Sequence, residues 1–490
     1  MHATKCDLRQ DGCGPCTRAG HACQYRDEVD AVFVDQTAEV LRKHVPGSAV
    51  GPKLRSDLRG ISHPCSSSGA FLPYQHPELA VPNVDDFALA YCNSRHIVQC
   101  DSGNSLRQMV GDDSVLSCLR ALGMASFAVY EHSPQAVTAA RAYYVSSIQA
   151  LNAALRSTSQ MNKNSTLMTA IALSYFESIL GHDQTGMKAW GRHIEGTAAL
   201  LHIRGTEQMR TQEGLVLFMQ ATVNIMSNCA RFGRRLPEHV REILRDGSKY
   251  VVDSTDPLWR VHVTWGELVD FWSEVLNNRL SDANIIIATA SRMDEQFMTA
   301  YDCATPAWDY EVRYETSKNN TIPYPGYFHL YRNTLSAQSW NTMRNGRLML
   351  STIIINTLET LEAGTRSVED ANNLLASSKA VARQMSNEIL ASVPQYMGFP
   401  GLEDCGIGSF PTFGTGVSKL MDYGQSHLPV LRTSNGYALI WCLASVGQRA
   451  PFGSTVRVAA CEALRLSSRT LGAKQASYLA EWLEALPVLK

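Results

Sequence analysis

The sequence predicts an all-α protein: a large helical, solenoid-like domain preceded by a short cysteine-rich segment. Three observations carry this expectation. After residue 80, apolar residues recur at three- and four-residue steps, the spacing that turns one face of a helix towards its neighbours. Alternating β-branched runs bounded by turn residues are scarce, which argues against a sizeable sheet. Four of the thirteen cysteines crowd into the first 23 of 490 residues.

Individual stripes can be followed by eye. Val137, Ala140, Tyr144, Ile148, Leu151 and Leu155 form the first. Trp190, Ile194, Thr197 and Leu201 form the second, closed by Gly205 after Arg204. Leu215, Phe218, Met219, Thr222, Met226 and Cys229 form the third. Gly181, Gly205, Gly247 and Gly364 mark helix stops. Residues 401–417 hold five glycines and read as a loop. These signals divide the chain into residues 1–28, a linker over 29–80 and a helical body over 81–490. The linker begins with a mixed strip, Glu28–His44, whose apolar spacing does not sustain a coiled-coil heptad. It continues through Pro-, Gly- and Ser-rich sequence to residue 80.

Composition excludes several classes. Hydrophobic residues make up 45% and charged residues 18%, a globular balance. Lys plus Arg number 44 against 46 Asp plus Glu, a net charge of −2, so no basic field covers the whole chain. Any nucleic-acid contact must be local. The longest apolar stretch, near Leu439–Val446, falls well short of the ~18–20 residues of a membrane span. Met1–Cys23 has no apolar run like that of a secretory signal. A reducing intracellular compartment is therefore expected, where clustered thiols serve as metal ligands rather than disulfides.

The informative segment is KCDLRQDGCGPCTRAGHACQY, Lys5–Tyr25, with spacing Cys6-x6-Cys13-x2-Cys16-x6-Cys23. A Cys-x2-Cys pair lets one turn aim two thiolates at a single ion, and the flanking cysteines can close a tetrahedral zinc site. The segment is too short to bury a core, so metal would supply its folding free energy.

Lys5, Cys6, Asp7, Cys13, Cys16, Cys23 and Tyr25 resemble the second half of the fungal Zn₂Cys₆ binuclear cluster, Cys-x2-Cys-x6-Cys, a loop, then Cys-x2-Cys-x6-Cys. That resemblance implies a transcription factor module that docks a short helix in the DNA major groove. It also implies a two-zinc cluster in which Cys13 takes a bridging place. The first two cysteines of the pattern are absent here. His2 and Ala3 stand at the family's base-contacting lysine positions, leaving Lys5 of the basic run, and Asp11 replaces a customary proline. Over residues 1–30 four basic residues face five acidic ones, so this end is expected to bind DNA weakly or not at all. Four thiolates suffice for one Zn2+ at most, against two in an intact cluster. The expectation is an upstream exon carrying the missing half; a shortened regulator without direct DNA contact is the alternative.

The body carries its own resemblance. WGRHIEGTAALLHIRG, Trp190–Gly205, is similar to a helix of the all-α regulatory region of many fungal cluster factors, through His193, Gly196, Leu200, Leu201, Arg204 and Gly205. WNTMRNGR, Trp340–Arg347, and GYALIWCLASVG, Gly436–Gly447, are similar to later segments of that region. Read without the resemblance, His193 is a hydrogen-bonded helix histidine and Gly196 a site of close helix packing. Trp190, Trp340 and Trp441 read as core anchors. Arg231, Arg234, Arg235, Arg241 and Arg245, interspersed with Glu238, Glu242 and Asp246, read as a solvated face. The scattered cysteines, Cys65 to Cys461, read as small buried hydrophobes or linker thiols.

No metalloprotease, P-loop, nucleophile-elbow or dinucleotide motif occurs, so catalysis is not expected. GIGSFP, Gly406–Pro411, begins like the last of these but ends in proline. The reading is a nuclear, zinc-dependent DNA-binding regulator of RNA polymerase II genes. Cys6, Cys13, Cys16 and Cys23 would hold zinc, and Lys5 would contact a backbone phosphate. Partners would be DNA and the transcription machinery or co-regulator proteins; a homodimer is allowed, and no membrane is involved. The alternative is a helical co-regulator acting through protein partners alone.

Overall fold

Each apolar stripe becomes the buried face of one helix. The computed structural model describes residues 83–98, 113–247, 249–250, 255–314, 324–331, 334–360, 368–397, 430–431 and 433–486. The cysteine-rich segment, the linker, Gly364 and the glycine-rich stretch 401–417 lie outside the described residues. In chain order the elements are α1 (Val84–His96), β1 (Ile97–Val98), α2 (Asp113–Tyr130), α3 (Pro134–Leu155), α4 (Thr158–Met161), α5 (Asn164–Leu180) and α6 (Gln184–Arg204). A 3₁₀ turn, Thr206–Arg210, leads to α7 (Gln212–Phe232), α8 (Glu238–Gly247), α9 (Pro257–Leu276) and α10 (Ala283–Met298). A hairpin of β2 (Tyr310–Tyr314) and β3 (Tyr327–Tyr331) precedes α11 (Thr334–Glu359) and α12 (Val368–Met397). The last elements are β4 (Val430–Leu431), α13 (Thr433–Arg449), α14 (Thr455–Leu471) and α15 (Lys474–Ala485).

The helix boundaries have local causes. Ser133 caps α3 by accepting from the Ala136 N–H, and Pro134 occupies the first turn, where its missing donor costs nothing. Asp183 caps α6 by accepting from the Gly186 N–H. Gly205, at φ +58°, then ends α6 in a conformation that side chains rarely adopt. Asp256 and Pro257 start α9 by the same pairing of cap and proline. Gly181 terminates α5, and Gly247 is the last residue of α8. Ala140, Tyr144, Leu151 and Leu155 are buried along α3, with Val137 and Ile148 at the margin of the core.

The fold is all-α with two small additions. β2 pairs with β3 antiparallel, Tyr310 opposite Tyr331 and Tyr314 opposite Tyr327. β1 pairs with β4, Ile97 opposite Leu431. β3 is buried and packs on α12, while most of β2 faces solvent.

Buried side chains form one contiguous core from Ala88 to Leu483. Many helices pack on sequence neighbours, as stacked pairs do. The chain also closes on itself: α15 packs on α5, and α13 on α7. Tyr175 and Tyr437 stack with ring centroids 5.0 Å apart, and Trp190 meets Trp441 at 4.9 Å. At Gly123 an added Cβ would stand 2.0 Å from the Ala88 carbonyl oxygen, so α1 and α2 touch backbone to backbone. Among the described residues, no helix is long and apolar enough to cross a membrane.

Candidate functional site

The residues expected to hold zinc, Cys6, Cys13, Cys16 and Cys23, and the expected phosphate contact Lys5 lie outside the described residues. Among the described residues, no group of three or more His, Cys, Asp or Glu could hold a metal ion. Cys92, Cys118, Cys229, Cys442 and Cys461 are buried free thiols, as read from the sequence, and Cys303 is exposed. Burial pushes the Cys118, Cys229 and Cys442 thiols up to about 12, so they remain protonated, with little nucleophilic or metal-binding character. Three polar constellations inside the helical body remain.

The first joins α3, α5 and α6. Tyr144 donates its hydroxyl proton to Glu177 Oε1 at 2.5 Å, and its oxygen lies 2.8 Å from His193 Nε2. Burial raises the Glu177 carboxyl to about 7, with the Tyr144 hydrogen bond, Arg141 and Arg192 working the other way. Burial and then Arg192 lower His193 to about 4, so the ring is neutral and the 4.0 Å approach to Glu177 is not an ion pair at neutral pH. His193 is therefore the hydrogen-bonded helix histidine that the sequence suggests.

The second surrounds Arg344 of α11, one of the most deeply buried large side chains. Its guanidinium lies 4.9 Å from the Tyr310 ring centroid, 5.4 Å from Trp340 and 5.7 Å from Tyr331. It donates to Tyr331 Oη and to Asn341 Oδ1, and it stands 3.4 Å from Glu388 Oε2 on α12. Burial opposes its charge, but Tyr331, Tyr310 and Glu388 outweigh that and raise its pKa. Burial lowers His329 of β3 to about 2. Its Nε2 comes within 3.2 Å of Glu388 without hydrogen-bond alignment, and the neutral ring makes this a contact rather than a salt bridge. The constellation fastens the hairpin to α11 and α12. Trp340, read as a core anchor, stacks on Tyr301 at 3.9 Å and donates its indole N–H to the Trp308 carbonyl.

The third is a cleft of about 80 Å³ between α7, α9, α11, α13 and α15, whose walls include Arg231, Trp265, Asn345, Trp441, Arg449 and Trp482. The Arg231 guanidinium lies 5.1 Å from the Trp482 ring centroid and 5.5 Å from that of Trp441. Arg449 donates from Nη1 to Ser445 Oγ at 2.8 Å and lies 5.7 Å from the Trp272 ring centroid. Its Nε is buried without a hydrogen-bond partner, as is Asn345 Oδ1. Among the described residues, no Asp or Glu lines the cleft. Among the described residues, neither Arg231 nor Arg449 has a carboxylate within 4.0 Å, unlike Arg234, Arg235 and Arg241, which meet Glu195, Glu274 and Asp270. Burial lowers Arg449 to about 10 and lowers Arg231 as well.

The expected solvated basic face is thus a charge-paired one at Arg234, Arg235 and Arg241. Arg231 departs from it, because α7 turns that position towards α13 and α15. Arg449 and Trp482 carry no motif in the sequence, and Asn345 lies within WNTMRNGR, Trp340–Arg347, without being singled out there.

Residues 99–233, which take in α2 to α7, match the fungal specific transcription factor domain family. The match supports a fungal transcriptional regulator, and that family is not an enzyme family. No curated protein and no solved structure matches the chain.

Proposed function

We propose that this protein is a zinc-dependent, sequence-specific DNA-binding regulator of RNA polymerase II genes, acting in the nucleus. In this reading the helical body governs a cysteine-rich amino-terminal module. The observation that carries it is the conjunction of two independent signals. The body matches a fungal transcription factor domain over residues 99–233, and the spacing Cys6-x6-Cys13-x2-Cys16-x6-Cys23 lies ahead of it in the same chain. Four cysteines can close one tetrahedral zinc site. Lys5 would contact a backbone phosphate, and co-regulator proteins would meet the helical body.

Elemental analysis of the purified full chain tests the metal. One zinc per chain, lost in a Cys13→Ser, Cys16→Ser double variant, is the expected result. Two zincs would contradict the single site, and none would remove the metal from the reading. A DNA mobility shift in zinc-replete buffer tests the second half. With four basic and five acidic residues over positions 1–30, a shift is expected only at low salt, with a shallow salt dependence.

That local charge balance favours one second reading, a helical co-regulator that acts through protein partners without touching DNA. A full complement of zinc with no shift at any salt concentration would select it.

A further inference from the structure

We propose that the cleft between α7, α9, α11, α13 and α15 is a binding site for a small organic carboxylate. Arg231 and Arg449 would hold its carboxylate, and Trp441 and Trp482 its apolar body. The argument begins with charge. Two arginines belong to the walls of one half-open cleft, which among the described residues include no Asp or Glu. Taking a cation out of water costs several kcal/mol unless an anion compensates it. Elsewhere in this molecule the cost is met in two ways: Arg344 has Glu388, Arg347 has Asp294 at 2.8 Å and Arg241 has Asp270, while Arg204 and Arg457 donate to backbone carbonyl and side-chain amide oxygens. At the cleft no protein carboxylate does so among the described residues.

Hydrogen bonding points the same way. Arg449 Nε is a buried donor that lacks an acceptor, and Asn345, only 6% exposed, leaves its amide oxygen unmatched. Unpaired buried polar atoms are rare in folded proteins, and each calls for a partner. A carboxylate oxygen satisfies the donor, and an arginine fork is suited to it geometrically. The Asn345 amide can accept from a ligand hydroxyl or, turned over, donate to a second oxygen.

The walls select the rest of the ligand. Trp265, Trp441 and Trp482, with Val223, Met349 and the alanines beside them, make the cleft mainly apolar, which suits an apolar body better than a bare inorganic ion. A water occupies ~10–15 Å³ by the same measure, so the cleft has room for roughly five to eight. That fits a short-chain or single-ring acid and is too small for a nucleotide or a peptide. The location also gives binding a consequence. The ligand would tie α7 to α13 and α15, the helices that close the chain on itself, so occupancy would tighten that closure.

Titration of the full-length protein tests this, followed by tryptophan fluorescence and by thermal unfolding. The probes are acetate, isobutyrate and benzoate, with benzamide as a neutral isostere of benzoate and inorganic phosphate as a bare anion. The expected result is a saturable fluorescence change and a raised Tm with at least one carboxylate, a weaker response to phosphate and none to benzamide. Arg449→Gln and Arg231→Gln should each weaken binding by about tenfold or more, whereas Arg234→Gln on the exposed, paired face should leave it unchanged. Should one cleft variant fail to fold, the other variant and the benzoate–benzamide contrast still decide. The proposal is overturned if no carboxylate binds saturably at millimolar concentration, if benzamide binds as tightly as benzoate, if phosphate binds as tightly as the best carboxylate, or if both arginine variants retain full affinity. None of these readouts involves zinc or DNA, so failure here leaves the gene-regulatory reading standing.

Discussion

Arg344 is buried and Arg449 partly buried, and both lie against aromatic rings, yet their partners differ. Arg344 has Glu388, Tyr331 and Asn341 around it, and the rings of Tyr310 and Trp340 besides. Arg449 has Ser445 and Trp272, and its Nε finds no partner. A buried cation whose counter-charge comes from its own fold acts as a fastener, here joining the β2–β3 hairpin to α11 and α12. A partly buried cation with neither a carboxylate nor a full set of hydrogen-bond acceptors, as at Arg449, leaves room for a charge from outside. The contrast separates the structural centre of this domain from its candidate site, although both are rich in arginine and aromatic residues.

The largest expected effect lies on the paired side. Glu388→Ala leaves Arg344 buried and uncompensated, and such a loss costs ~3–5 kcal/mol. Urea unfolding should show it as a lower midpoint. A loss under about 1 kcal/mol would mean that Arg344 is not held by its carboxylate, and the comparison would collapse.

A buried carboxylate whose desolvation outweighs the pull of the nearby Arg141 and Arg192 extends the comparison to the first half of the chain. Glu177 titrates at about 7 in the folded protein against an ordinary value of 4.5. Between those values the folded state keeps a proton that the unfolded state has lost, so this group makes stability fall as pH rises from 4.5 to 7. The full penalty above pH 7 is about 3 kcal/mol. His193 and His262, lowered to about 4 and about 3 by burial, act in the opposite direction. Each makes stability fall as pH drops from 6.5 towards its folded value. Glu177→Gln should therefore gain stability relative to the parent as pH increases from 4.5 to 7.5. Denaturant midpoints measured across that range, parallel for the two proteins, would remove Glu177 from this role.

Smaller effects belong to the cleft. Arg449→Met removes a partly desolvated charge that no carboxylate among the described residues compensates, but it also loses the Ser445 hydrogen bond and the Trp272 ring contact; the two offset, and stability should change by less than about 1 kcal/mol in either direction. A cost of ~3 kcal/mol or more would place Arg449 among the fasteners with Arg344. Least of all should come from Arg234→Ala, whose 3.0 Å bridge to Glu195 joins two side chains more than half exposed. Calorimetry should find a change below ~0.5 kcal/mol.

Much of the helical frame could be read in advance. The stripes on α3, α6 and α7 fall on buried residues, because an amphipathic period of 3.6 is a local property that survives into the fold. Gly181, Gly205 and Gly247 end helices for equally local reasons. The β2–β3 hairpin was not legible. YEVRY and YFHLY are each five residues long, and their pairing depends on the helices that bury one of them. Arg231 was misplaced for a similar reason. Its spacing puts it with Arg234 and Arg235, but only α13 and α15, more than 200 residues further on, turn it inwards against Trp441 and Trp482. The candidate cleft was not legible because its walls come from five helices, and the segments WNTMRNGR and GYALIWCLASVG, which contribute Asn345 and Trp441, do not show in sequence that they meet Arg231 and Trp482.

What the amino-acid order determined by itself is the all-helical class, the faces that each helix buries and the crowding of four thiols near the amino end. All three depend on interactions between residues a few positions apart, which composition and spacing record directly. Tertiary structure alone decided which arginines meet a carboxylate and which do not. That outcome depends on where distant helices bring their charges, and the energy of a buried charge is set by everything around it rather than by its neighbours in the chain.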